Sequence, residues 1–120
     1  MAAALLFSAA CAKPAPDPPA HAIPAIVKAG TTFTADPDPI VTTDGTGLGE
    51  TALSWSTPAA HIEVHVNDPN GPLMGGGGSQ GTMRTGKWVH DGMKFCLQDA
   101  DAPDRTSAAA TLGTIAVVVQ

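Results

Sequence analysis

With 120 residues and a formal charge of −5, the chain is long enough for one hydrophobic core and too short for two. Only 6 residues are Lys or Arg and no basic run occurs, which excludes a nucleic-acid surface, because displacing counterions from phosphates needs clustered cations. The 13 Gly and 11 Pro that punctuate short Val, Thr and Ile runs point to strands and turns rather than helices.

In chain order, a brief apolar run at residues 2–7 is followed by the small residues Ser8, Ala9 and Ala10 and then by Cys11. This order resembles the end of a bacterial lipoprotein signal, which implies a lipidated Cys11 as the mature N-terminus. The location implied is the bacterial cell envelope or periplasm, as an outer-membrane lipoprotein, or else the secreted fraction. Any membrane association would run through that lipid, since no apolar run approaches the ~20 residues needed to span a bilayer. Residues 12–29 are rich in Pro and Ala, a composition that cannot pack a core and predicts a disordered, extended, semi-rigid spacer. The expected division is a signal at 1–11, a linker at 12–29 and a folded domain at 30–120.

Within the domain the pattern predicts six or seven strands. Residues 31–34 and 39–42 read as one edge strand broken by Asp36, Pro37, Asp38 and Pro39, since an edge tolerates the missing proline N–H. Residues 51–66 hold two alternating runs, Leu53 and Trp55 in the first and Ile62, Val64 and Val66 in the second, joined by a connection containing Pro58. They read as a β-hairpin with Trp55 on its buried face. A turn at 67–71 follows, marked by Asp68-Pro69 and Asn70-Gly71, then weak strand candidates at 72–74 and 81–85 separated by Gly75 to Ser79. After a turn at 90–92, Met93, Phe95 and Leu97 alternate on one face, and Ile115, Val117 and Val119 do so in the last strand. Trp55 is expected in the core with Leu53, Val64, Phe95 and Val117.

The run from Leu53 through Trp55 to Pro58, the strand Ile62 to Val66, and the segment Val89 to Leu97 resemble the fibronectin type III and immunoglobulin-like sandwich superfamily. More specifically, Thr85 to Val89 with Asp91 to Met93 and Phe95 to Asp99 resembles a small bacterial Ig-like module of unassigned function. That implies an all-β fold, a single antiparallel Ig-like β-sandwich of about seven strands. It carries no activity, because sandwiches host many unrelated functions. Phe95 stands where many relatives have a Tyr, so the hydroxyl bond that closes the corner cannot form.

Several patterns suggest chemistry and fail on context. Gly81, Gly86 and Lys87 have the spacing of a phosphate loop, but Trp88 replaces the magnesium-holding Ser or Thr and no helix pattern follows. His61 and His65 on a strand lie about 13 Å apart at ~3.3 Å per residue and cannot share one ion. Asp99, Asp101 and Asp104 offer hard oxygens for a loose calcium site, although Pro103 and the absence of the expected Gly and Glu exclude an EF-hand; a solvated turn is the plainer reading. Cys96 has no partner if Cys11 carries lipid, so it is expected to be buried or shielded. In the corner resemblance Val89 plugs the core, which turns Trp88 outward beside Lys87 and His90. The function expected is a non-catalytic cell-envelope module for protein contact, adhesion or scaffolding, with an unidentified protein or glycan as partner and no cofactor. The alternative is a carbohydrate- or metal-binding module that uses Trp88, Lys87 and His90.

Overall fold

The computed structural model describes residues 21–120. Among them the chain forms β1 (Ile26–Val27), β2 (Thr32–Asp36), β3 (Ala52–Val66), β4 (Leu73–Arg84), β5 (Met93–Asp99) and β6 (Thr111–Val117), with a turn of 3-10 helix at Ala108–Ala110. The strands are all antiparallel to their neighbours and join one sheet in the order β1-β6-β5-β3-β2, with β4 paired to β3.

β3 organises the fold. Its first half pairs with β2 on one side, Trp55 opposite Phe33, and its second half pairs with β5 there instead, Val64 opposite Leu97. β4 accompanies it along the other side through both halves. Between Ser56 and His61 the register with β4 jumps, so that residues 57–60 face the single residue Ser79. Two consequences follow. The chain bends there, as strands do when they turn a corner between packed layers. The inward parity also switches, from Leu53, Trp55 and Thr57 to Ile62 and Val64, which keeps both runs on the core side. The expected hairpin at 51–66 is therefore one bent 15-residue strand. Pro58 sits in the unpaired bulge, where its missing N–H costs no ladder bond, and so marks a corner instead of a turn.

The bend folds the sheet over a core of Phe33, Ile40, Leu53, Trp55, Ile62, Val64, Val89, Met93, Phe95, Leu97, Ile115 and Val117. Trp55, Leu53, Val64, Phe95 and Val117 thus share the core that the alternation predicts. The sheet curls almost into a barrel. Ile40 pairs in parallel with Val119 near the closure, its N–H donating to the Val118 carbonyl at 2.7 Å and its carbonyl accepting from Gln120 N–H at 2.9 Å. Two carboxylates pin the same segment: Asp38 accepts from Val118 N–H at 3.1 Å and Asp91 from Val119 N–H at 2.9 Å. Burial pushes the Asp38 carboxyl above its ordinary value, against the opposing pull of that Val118 bond. Residues 39–42 are therefore not a continuation of β2 along one edge; past the Asp–Pro run they cross to the C-terminal segment.

Two further expectations change. The sheet takes in Ile26 and Val27, which pair with Thr114 and Gly113, so part of the segment read as linker is a strand, where β-branched side chains replace Pro. The residues at 72–74 and 81–85 are not separate strands either, because β4 runs unbroken through Gly75 to Ser79. Trp55 explains why. Its indole lies across β4, donating from Nε1 to the Gly78 carbonyl at 2.8 Å, and a Cβ at Gly77 or Gly81 would stand 2.9 or 2.7 Å from its ring. Side chains there would expel the ring from the core.

Candidate functional site

Three surfaces hold the residues and groups from which a function can be built. The first is the corner before β5. Val89 is fully buried, paired with Gly49 across an isolated bridge, and Trp88 turns the other way with 39% of its surface exposed. The exposed ring rests on two supports. A Cβ on Gly86 would lie 2.7 Å from the indole, and Phe95 faces Trp88 with ring centroids 6.0 Å apart and planes tilted by 52°. That tilted geometry is the favourable one for aromatic quadrupoles. His90 is exposed and its Nδ1 lies 3.1 Å from the Asp91 carbonyl, in a turn closed by Met93 N–H bonding to the His90 carbonyl.

Lys87 points elsewhere. Its ammonium donates to the Asp44 carboxylate, which also accepts from the Thr46 hydroxyl and N–H. The lysine bond first, and the Thr46 bonds after it, hold the Asp44 carboxyl well below the usual carboxylate range. Lys87 and Asp44 form part of the wall of an open groove of about 500 Å3, whose apolar side is made by Ile40, Val41 and Leu48. Val41 is 66% exposed there, and Trp88 and His90 do not line the groove. The three residues grouped by sequence therefore divide between the groove and the aromatic corner.

The second surface is the outer face of β3, β5 and β6, where the register sets His65 beside Cys96 beside Thr114. His65 is nearly buried, with Nδ1 2.8 Å from the Gly71 carbonyl and Nε2 3.0 Å from Glu63. Arg105 reaches the other Glu63 oxygen at 3.4 Å. Next to them Gln98 is completely buried although it faces away from the core. Its amide donates to the carbonyls of Arg105 and Ser107 at 3.0 and 2.9 Å, and its oxygen accepts from Thr111 at 2.6 Å. These bonds clamp the 100–110 loop over the sheet. Burial first, and the Asp68 charge less, push the Cys96 thiol up against the pull of its Thr114 bond.

The acidic residues at the rim of this loop serve its turns. Asp99 accepts from Asp101 N–H, Asp104 from the Thr106 N–H and hydroxyl, and Asp101 pairs with the exposed His61 at 2.9 Å. Among the described residues no three His, Cys, Asp or Glu side chains stand close enough to hold a metal ion. Gly81, from the phosphate-loop spacing, lies inside β4, with Gly86 and Lys87 beyond its end. Cys11 lies outside the described residues, as do the signal and the first half of the linker.

The third surface was not legible as a site. β4 is 12 residues long, hydrogen-bonds to β3 alone among the described strands, and is mostly exposed along its length. Five of those residues are Gly, and the first charged side chain is Arg84 at its end. A long run of open N–H and C=O groups without Lys, Pro or inward charges is what sheet edges ordinarily avoid. A sequence signal existed in the absence of gatekeeping residues between Leu73 and Met83, but the glycines read as a break in the strand. Comparison with family models, with curated proteins and with solved structures finds no match to this chain.

Proposed function

We propose that the chain is a non-catalytic Ig-like module of the bacterial cell envelope, anchored through Cys11, that makes contact with another polypeptide by adding its strand to the open edge of β4. The single observation that carries this reading is that edge: a 12-residue exposed strand, paired on one side only among the described residues. Main-chain hydrogen bonds to an added strand would supply affinity, and the glycines would let the backbones approach without side-chain interference. The Ig-like assignment rests on the Trp55 and Val89 to Leu97 segments, and the envelope location on the order Ser8, Ala9, Ala10, Cys11.

The test is a photo-crosslinking amino acid at Gln80, beside the edge, in cells that export the full chain, with Thr106 on the far loop as control. Protein adducts from position 80 and not from 106 are expected. Equal labelling at both, or none at 80, overturns the reading.

A second reading, binding of a small carbohydrate, is favoured by one observation, the half-exposed Trp88. In a Trp55→Phe background, cell-wall glycans that shift the emission of Trp88 would support it. Unchanged emission across a glycan panel removes it.

A further inference from the structure

We infer that the strand received at the β4 edge is β4 of a second copy, giving a two-fold dimer in which the two sheets continue through an antiparallel β4–β4 pair; this rests on the proposed reading that the edge takes a strand. Three observations point to self-pairing. The first is chemical symmetry. From Leu73 to Met83 the strand has no charged side chain, so two copies laid antiparallel oppose no like charges over eleven residues, despite a net charge of −5 on each chain. Like charges directly opposite are the usual obstacle to edge-to-edge pairing.

The second is charge complementarity at the two ends. β4 begins just after the 67–71 turn, which carries the exposed Asp68, and ends at the exposed Arg84. Antiparallel pairing brings the Arg84 end of one copy to the Asp68 end of the other, and the two-fold repeats the match. Arg84 meets Glu50 through Nε at 3.3 Å, leaving its terminal nitrogens for a second carboxylate. The third is closure: an isologous pair satisfies both open edges at once, whereas pairing to any other edge would leave one β4 open and propagate.

The alternation along β4 supplies the test. Gly77 and Gly81 face the Trp55 ring, which puts Gly78 and Gln80 on the opposite, outer face, and a Cβ at Gly78 has only the Ala60 carbonyl at 3.9 Å as neighbour. Gly78→Lys/Gln80→Lys and Gly78→Glu/Gln80→Glu therefore add charge near the two-fold without touching the core. Sedimentation of the full chain over a concentration series is expected to show a dimer for the wild type. Each single-sign variant should associate at least roughly tenfold more weakly, because like charges meet across the axis. An equimolar mixture of the two should recover dimer as a mixed species. Should the double variants unfold, Gln80→Lys and Gln80→Glu repeat the comparison without adding a Cβ at Gly78.

A wild type that stays monomeric throughout overturns the inference, and so does a dimer indifferent to either charge. The crosslinks at position 80 separate the two levels of the proposal. Adducts of twice the chain's mass support self-pairing. Adducts with a different protein retain the open-edge reading and overturn the self-pairing, and no adduct overturns both.

Discussion

β4 and β5 both pair with β3, yet opposite compositions hold them in place. β5 is buried on both faces: Met93, Phe95 and Leu97 fill the core side, while on the other face Cys96 is buried between His65 and Thr114 and Gln98 is sealed beneath the 100–110 loop. β4 contributes few side chains of its own, with Met74 and Met83 at the margin of the core and five glycines among its 12 residues. Glycine in a strand interior costs conformational entropy and supplies nothing to pack. The compensation comes from a neighbouring strand, since the Trp55 indole covers the Gly77–Gly81 backbone and bonds to Gly78. A strand can therefore be specified by another strand's side chain, and such a strand is left with a bare, accessible edge.

The largest test of this difference is Trp55→Ala. Truncating a core aromatic typically costs about 3 to 5 kcal/mol. Total stability of a domain is commonly about 5 to 15 kcal/mol, so Trp55→Phe, which keeps most of the ring, is the companion variant. In Trp55→Phe the loss of the Gly78 bond should raise hydrogen exchange in β4 well above that in β5. Equal acceleration in both would mean that the indole stabilises the whole sheet and not β4 in particular.

Smaller and more local is Gly81→Ala. Its new Cβ would meet Trp55 at 2.7 Å, and overpacking of this kind costs about 1 to 3 kcal/mol. Gly78→Ala, with its nearest neighbour at 3.9 Å, is the control and should unfold at close to the wild-type temperature. Because the collision is with the indole, the Trp55→Phe/Gly81→Ala double variant should lose less stability than the two single changes summed. Strict additivity would show that the two residues do not compete for the same space.

The same contrast explains how much of the molecule was legible from sequence. Core residues Leu53, Trp55, Ile62, Val64, Phe95, Leu97, Ile115 and Val117 announce themselves by alternation, because a strand's side chains project to opposite faces whatever its partner. From sequence Pro58 reads as the connection between two strands, since proline removes a ladder donor; that it occupies a bulge depends on the Ser56–Gln80 and His61–Gly78 pairings, which only the folded register sets. Gly75 to Gly78 carry the same ambiguity. Their composition signals flexibility, and their strand conformation comes from pairing with His61 to Val64 and, at Gly77 and Gly78, from the Trp55 indole, partners distant in sequence. That Val89 faces in is what the corner resemblance implies, and the alternation of neighbouring side chains then turns Trp88 out; the separation of Lys87 from Trp88 depends instead on where Asp44 falls. Gln98 left no trace at all, because a polar residue opposite Leu97 looks like a solvent-facing position until a loop covers it.

Gln98→Leu tests that covered face. It keeps the volume but strands the Arg105 and Ser107 carbonyls and the Thr111 hydroxyl, at a cost of about 1 to 3 kcal/mol for buried groups left unpaired. Proteolysis should then accelerate within residues 100–110, with β4 exchange unchanged. Faster exchange in β4 would show that the two regions are not independently held.

The smallest effect expected is at Asp44, on the groove wall. Its carboxyl is held below its ordinary value of 3.8 chiefly by Lys87 and then by Thr46. A carboxyl whose folded value is depressed binds its proton less readily than in the unfolded chain, so its contribution is present above 3.8 and is lost as pH falls below that value towards the folded one. The pair is solvent-exposed, and exposed pairs are screened by salt and contribute little to stability. Asp44→Asn should therefore leave the unfolding temperature nearly unchanged at neutral pH and high salt. At low salt it should flatten slightly the wild-type loss of stability below pH 3.8, where the carboxyl of the unfolded chain takes up a proton before that of the folded protein does. A larger drop at neutral pH that survives high salt would mean that Asp44 anchors the 40–50 loop through its Thr46 bonds rather than through its charge, and Asp44→Ser, which keeps a hydrogen-bond acceptor at this position, should then recover part of the loss.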